Sequence, residues 1–115
     1  MKIAIVGSRK VEIGNIGDYI TVCDEIVSGG ARGIDSCAAA YAREKGITLV
    51  EIFPDYARYR RAAPIIRNKE IVDRADAVLA FWDGRSKGTA WVIRYAKKTG
   101  KPCEVILCTA AGEES

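Results

Sequence analysis

Val27-Ser28-Gly29-Gly30-Ala31-Arg32-Gly33-Ile34-Asp35 reads as the end of a strand, a glycine-rich turn and the first turn of a helix. Glycines at three of five consecutive positions let the backbone bend sharply and let a ligand come close to it. The helix start that follows leaves N–H groups free and puts the positive end of the helix dipole at the turn. A strand running through a tight turn into a helix is the repeating unit of a parallel sheet. It is also an anion site in outline, and phosphate is the usual anion. The spacing is neither Gly-x-Gly-x-x-Gly nor the Gly-x-x-x-x-Gly-Lys-Ser/Thr loop. The same glycines would serve a tight βα turn that binds nothing, and the motif alone leaves both readings open.

Working outward, the same alternation recurs along the chain. Lys2–Val6 is a short apolar run, consistent with a buried strand, and ends at Gly7-Ser8-Arg9. The two glycines between Gly14 and Ile20 make any helix there short or irregular. Cys23–Ser28 is the second strand. Gly33–Lys45 places Ile34, Cys37, Ala38, Tyr41 and Ala42 at helical spacing, with Gly46 as its cap. Thr48–Phe53 is the third strand, and Pro54–Ala63 reads as a loop. Pro64 suits the first position of a helix running to about Ala75. Ala77–Phe81 is a fourth strand. Trp82–Thr89 is a second glycine-bearing loop. Ala90–Thr99 is a helix closed by Gly100, and Cys103–Cys108 is the last strand. The fold expected is a single-domain α/β, Rossmann-like three-layer αβα sandwich around a five-stranded parallel sheet. The domain covers residues 1–108, and residues 109–115 form a polar tail expected to fray.

Composition narrows the chemistry. A chain of 115 residues supports one core. Its net charge of +3 is too mild to argue for nucleic acid by itself. No apolar run approaches a membrane span, and Met1–Gly7 is too short for a signal peptide, so a cytoplasmic protein with no membrane partner is expected. Cys23, Cys37, Cys103 and Cys108 show no C-x-x-C pairing and read as buried thiols. The chain has no histidine, which removes Ser-His triads and histidine metal sites. No metal and no required cofactor is expected.

In parallel sheets of this kind ligands sit outside the carboxyl ends of the strands, where the strand order reverses. Three loops there carry suggestive side chains: Gly7, Ser8 and Arg9; Gly29, Gly30, Ala31, Arg32, Gly33 and Asp35; Asp83, Gly84, Arg85, Ser86, Gly88 and Thr89. Asn68 falls on the helical stripe of Ile65, Val72 and Ala75. It either ties down a loop or reaches the ligand edge together with Arg67. Phe81 reads as core. Trp82, at the strand end, is either core or a stacking surface for a base.

Taken together and in order, Gly7-Ser8-Arg9, Ser28 to Asp35, Arg67-Asn68, Ala75-Asp76-Ala77-Val78 and Phe81 to Thr89 closely resemble the SLOG superfamily of Rossmann-like nucleotide-binding proteins, best its small YspA/YpsA-related group. The Ser28–Asp35 stretch is also similar to DNA-processing protein A, a single-strand DNA binder. The Arg-Asn and Gly-Thr elements are similar to those of the Lonely Guy phosphoribohydrolases. The resemblance implies a nucleotide or nucleotide-derived ligand, with its phosphate on the Gly29–Gly33 turn and the Gly84–Thr89 loop. Arg9, Arg32 and Arg85 would supply charge-assisted contacts and Thr89 a hydroxyl. Lonely Guy enzymes carry a glutamate three residues after the threonine of their motif, and that position is Val92 here. An N-glycosidic hydrolase is therefore the second reading, with Asp35 and Asp83 as the ligand-edge acids. A third is a single-strand nucleic-acid binder using Arg58, Arg60 and Arg61 interleaved with Tyr56 and Tyr59. Tyr56, Tyr59 and Trp91 are also more aromatic surface than a small domain easily covers. That leads to the expectation of a homodimer or higher symmetric oligomer.

Overall fold

The computed structural model describes residues 1–20 and 23–108. The expected tail, residues 109–115, lies outside the described residues. Five strands, β1 (Lys2–Gly7), β2 (Glu25–Ser28), β3 (Thr48–Glu51), β4 (Ala77–Trp82) and β5 (Cys103–Leu107), form one parallel sheet in the order β3-β2-β1-β4-β5. β1 is central because both its faces are apolar. Ile3 and Ile5 point one way, Ala4 and Val6 the other, and all four are buried. Strand side chains alternate between faces, so a continuous apolar run fits only a strand covered on both sides.

Those two faces carry separate cores. On one, α1 (Ile34–Lys45) lays Ile34, Ala38 and Ala42 against Ile5, Ile26, Leu79 and Phe81. The β1–β2 connection adds Val11 and, from a 3₁₀ turn at Ile16–Tyr19, Ile16. On the other, α3 (Ala63–Arg74) and α4 (Lys87–Lys98) bring Ile71, Val72, Val92, Ile93 and Ala96 onto Ala4, Val6, Val27 and Val78. Each of the larger aliphatic side chains so buried contributes roughly 1.5–3 kcal/mol. The result is the expected three-layer αβα, Rossmann-like arrangement.

Several boundaries differ from the sequence reading, each for a physical reason. Pro54–Ala63 is not a plain loop. Asp55 caps a four-residue helix, α2 (Tyr56–Tyr59), by accepting the Arg58 N–H at 3.1 Å, and a 3₁₀ turn at Arg60–Ala62 leads into α3. α4 begins at Lys87 rather than Ala90, because Asp83 and Ser86 organise the preceding turn. Ile65 is half exposed and Asn68 only partly buried, so the buried stripe of α3 is Ala63, Ile71 and Val72 instead, with Ala75 buried just past its end. The four cysteines are half-buried rather than fully buried. Among the described residues, no helix is long and apolar enough to cross a membrane.

Candidate anion-binding site

The chain runs β1, β2, β3 outward on one side and then returns past β1 to β4 on the other. β1 and β4 are therefore neighbours whose following loops diverge, which opens a crevice at their carboxyl ends. A cavity of about 560 Å³ lies there. The loop after β1 contributes Gly7, Ser8, Arg9 and Lys10, and the turn after β2 contributes Gly29, Ala31 and Asp35. α3 contributes Pro64, Arg67, Asn68 and Ile71. The β4–α4 loop and first turn of α4 contribute Asp83, Arg85, Ser86, Lys87, Gly88 and Thr89, while Val6 and Val92 form apolar wall. Segments more than 70 residues apart in sequence thus share one surface, Ser8 and Asp83 among them.

Charge is concentrated here. Five cationic side chains (Arg9, Lys10, Arg67, Arg85 and Lys87) line the cavity against two carboxylates, Asp35 and Asp83. That excess equals the net +3 of the entire chain. The first turn of α4 adds to it. Ser86, its N-cap, does not cap with its side chain, because its hydroxyl donates to Asp83 Oδ2 at 3.2 Å. The early N–H groups of α4 thus take no side-chain cap from Ser86, and the first turn, Lys87 to Thr89, lines the cavity.

The two acids differ in what they have left to offer. Asp83 Oδ1 accepts the Arg85 and Ser86 N–H groups, both at 2.8 Å, and the Asp83 N–H donates to Ser8 Oγ at 3.3 Å. Chiefly the Ser86 N–H holds the Asp83 carboxyl below the ordinary carboxylate value. It is a turn-forming group with little basicity, and the nomination of Asp83 as a catalytic acid finds no support in this geometry. Asp35 is 8% exposed. Its Oδ2 accepts the Ala31 N–H at 3.0 Å, and the buried Ser28 hydroxyl lies against the same carboxyl. Burial pushes its carboxyl above the ordinary 3.8, partly offset by the Ala31 N–H, the Arg67 guanidinium, the Ser28 hydroxyl and Arg9. Arg67 is held across from it, donating from Nη1 to the Gly29 carbonyl at 3.1 Å and from Nε to Asn68 Oδ1 at 2.9 Å.

A stability consequence follows. A buried acid whose value is raised on folding binds its proton more tightly in the folded state. Its contribution is most favourable below 3.8 and is lost as pH rises through the raised value. Asp35→Asn keeps the shape and the acceptor for Ala31. Thermal melts are expected to show the variant more stable than wild type at pH 7, with the difference vanishing toward pH 3. An unchanged difference across that range would contradict the assignment.

The site residues nominated from sequence divide cleanly. Gly7, Ser8, Arg9, Gly29, Ala31, Asp35, Arg67, Asn68, Asp83, Arg85, Ser86, Gly88 and Thr89 come together around the cavity. Gly30, Arg32, Gly33, Gly84 and Trp82 do not line it. Gly30 faces Phe53, and Gly33 packs its backbone against that of Arg9. Trp82 is not a free stacking surface: its indole N–H donates to the Ser86 carbonyl at 3.0 Å and its ring packs on the α3/α4 core. Trp91 stacks on Tyr95 at 5.0 Å within the chain, and Tyr95 donates to Asp73 at 2.7 Å. Tyr56 and Phe53 are the large aromatics left mostly exposed. Lys10 and Lys87 were missed as cavity cations, although Lys87 stands inside the Phe81 to Thr89 stretch and Lys10 directly follows Gly7-Ser8-Arg9. Val6, Pro64, Ile71 and Val92, the apolar wall, carry no sequence signal separating them from ordinary core.

Fold and site together define a Rossmann-like α/β domain with a cationic cavity at its topological switch point. The chain is similar to the Gene 61 protein of Mycobacterium phage D29, with 39% identity over 83 residues. The match covers 67% of this chain and 66% of the phage protein, just under two thirds of its length. No family model matches the chain, and no solved structure matches it.

Proposed function

We propose that this chain binds a nucleotide or nucleotide-derived ligand, its phosphate held between the β1 loop and the first turn of α4. The observation that carries this reading is the coincidence, in one cavity, of the chain's cationic excess and a helix start left uncapped by its own N-cap side chain. The resemblance to SLOG proteins supports the same ligand class. Of the two positions the resemblance implied, the Gly84–Thr89 loop is favoured over the Gly29–Gly33 turn. The turn after β2 already holds an anion of its own, the Asp35 carboxylate on the Ala31 N–H, so a phosphate is better accommodated at α4.

Binding is favoured over base release. Val92, 2% exposed in the cavity wall, stands where the resembling hydrolases carry glutamate, and the Asp83 lone pairs are engaged by its own loop. Calorimetry with AMP and inorganic phosphate is expected to give saturable binding to a single site. Chromatography after incubation with AMP is expected to show no base release approaching enzymatic rates of about 1 per second. Heat signals no different from buffer dilution for both compounds would overturn the binding reading. Affinity for a single-stranded oligonucleotide that exceeds that for AMP and falls steeply with salt would replace it with nucleic-acid binding.

A further inference from the structure

Trp82 is spent on the Ser86 carbonyl and the α3/α4 core, so a base bound at this edge needs another aromatic surface. Phe53 and Tyr56 supply one, at 61% and 56% exposed. Both follow β3 at its carboxyl end, the end of the sheet on which the cavity opens. The Ile52 N–H donates to the Ser28 carbonyl at 2.8 Å, which brings Phe53 alongside the turn after β2. Its ring is seated against Gly30: a Cβ built there would collide with three ring carbons. Gly30 directly follows Gly29, which lines the cavity. Phe53 therefore stands on the cavity rim, one residue outside its wall.

Tyr56 opens α2, whose start is fixed by the Asp55 cap. α2 leads through a 3₁₀ turn into α3, and α3 is tied to the same β2 turn by Arg67 Nη1 donating to the Gly29 carbonyl at 3.1 Å. Tyr59 differs from Tyr56: the Arg58 guanidinium lies 5.1 Å from its ring centroid and the side chain is only partly exposed. Exposed apolar residues scattered singly need no explanation, but two rings three positions apart on the rim of a cationic cavity offer the π-faces on which a base stacks. The spacing also fits. β2 and β4 are two strand positions apart, so the Gly29–Gly30 turn stands roughly 10 Å from the start of α4, the reach of a ribose and base from their phosphate. We infer that Phe53 and Tyr56 form the platform on which the base of the bound nucleotide stacks, beyond the Gly29–Gly30 turn from the phosphate. The inference rests on the proposed nucleotide reading and adds the base to it. It also gives Gly30 a role, since only a residue without a side chain lets the Phe53 ring lie against the turn. Stacking is tolerant of base identity, so the platform selects for the presence of a base rather than for a particular one.

The probes are AMP, ribose 5-phosphate and inorganic phosphate, measured by calorimetry on the wild-type protein and on the double variant Phe53→Ala, Tyr56→Ala. AMP is expected to bind wild type at least about tenfold more tightly than ribose 5-phosphate, the size of one stacked base. In the double variant that ratio is expected to fall to within about twofold, with ribose 5-phosphate bound as in wild type. Equal affinity of wild type for AMP and ribose 5-phosphate, with phosphate still bound, would overturn the base assignment and leave the phosphate site standing. A ratio that survives in the double variant would place the base elsewhere and overturn it as well. Light scattering covers the other partner two exposed rings would suit, a second copy of the chain. A wild-type dimer that the double variant turns into a monomer, with the AMP ratio unchanged, would make the rings an interface and overturn the platform. Failure of all three probes to bind would remove the nucleotide reading, and this inference with it. The wild-type comparison needs no variant, so it stands whatever the variant's folding.

Discussion

Replacing Gly88 with glutamate is expected to abolish binding of AMP and phosphate while leaving the fold intact or slightly more stable. A Cβ built at Gly88 meets nothing within 4 Å, so the new side chain enters the cavity rather than the core. Gly88 sits in the first turn of α4 with an ordinary helical backbone. There, a residue other than glycine gains up to about 1 kcal/mol in helix propensity. An acid at a helix start gains a further ~0.3–1 kcal/mol from the dipole. For a bound phosphate the same carboxylate is a like charge a few ångströms away, which costs about 4 kcal/mol near a protein surface. Calorimetry should show at least a ~100-fold loss of affinity, and the melting temperature should stay level or rise by a few degrees. A folded Gly88→Glu protein with wild-type phosphate affinity would remove α4 from the site. Gly88 is a cleaner probe than Gly30 in the turn after β2. Gly30 has a φ of 70° and a Cβ there collides with the Phe53 ring, so its replacement perturbs the turn before it touches a ligand.

The second large effect is on the fold itself. Gly33→Ala is expected to destabilise the protein by more than ~3 kcal/mol, a large share of the roughly 5–15 kcal/mol available to a domain. Gly33 caps α1 with φ 72° and ψ −124°, a region where any Cβ is strained. The added methyl would also stand 2.5 Å from the Arg9 carbonyl oxygen, and the contact is with backbone, which cannot swing away as a side chain could. The loop carrying Ser8 and Arg9 would have to move off the α1 start, and the cavity would lose one wall. The melting temperature should fall by about 10 °C or more. Gly46→Ala is the control. It shares a positive φ of 67°, but nothing lies within 4 Å of its Cβ, so its cost should stay near 1 kcal/mol. Equal losses at the two positions would show that the close approach at Gly33 carries no weight.

The amino-acid sequence by itself determined the fold class and the edge on which chemistry collects. Lys2–Val6 and Ala77–Phe81 are too uniformly apolar for anything but strands covered on both faces. The turns after β1, β2 and β4 each carry glycine, and parallel connection places them at one end of the sheet. This is why Gly7-Ser8-Arg9, Gly29 to Asp35 and Asp83 to Thr89 could be read as one edge from sequence, while Asn68 on its helical stripe stayed open. The tertiary structure alone decided which atoms of those motifs face the cavity. Gly29 lines it and Gly30 does not, because the φ of one residue turns the chain toward Phe53. Trp82 is lost to stacking because the Ser86 carbonyl, four residues on, captures its N–H. Asp35 and Asp83 look alike as letters. Asp83 accepts from the N–H groups of its own exposed loop while Asp35 is buried against the turn after β2, and that difference rests on hydrogen-bond directions, which residue spacing does not encode. Spacing along a chain sets which face or edge a residue occupies; the direction of its polar atoms is settled by neighbours distant in sequence, and only folding brings those neighbours together.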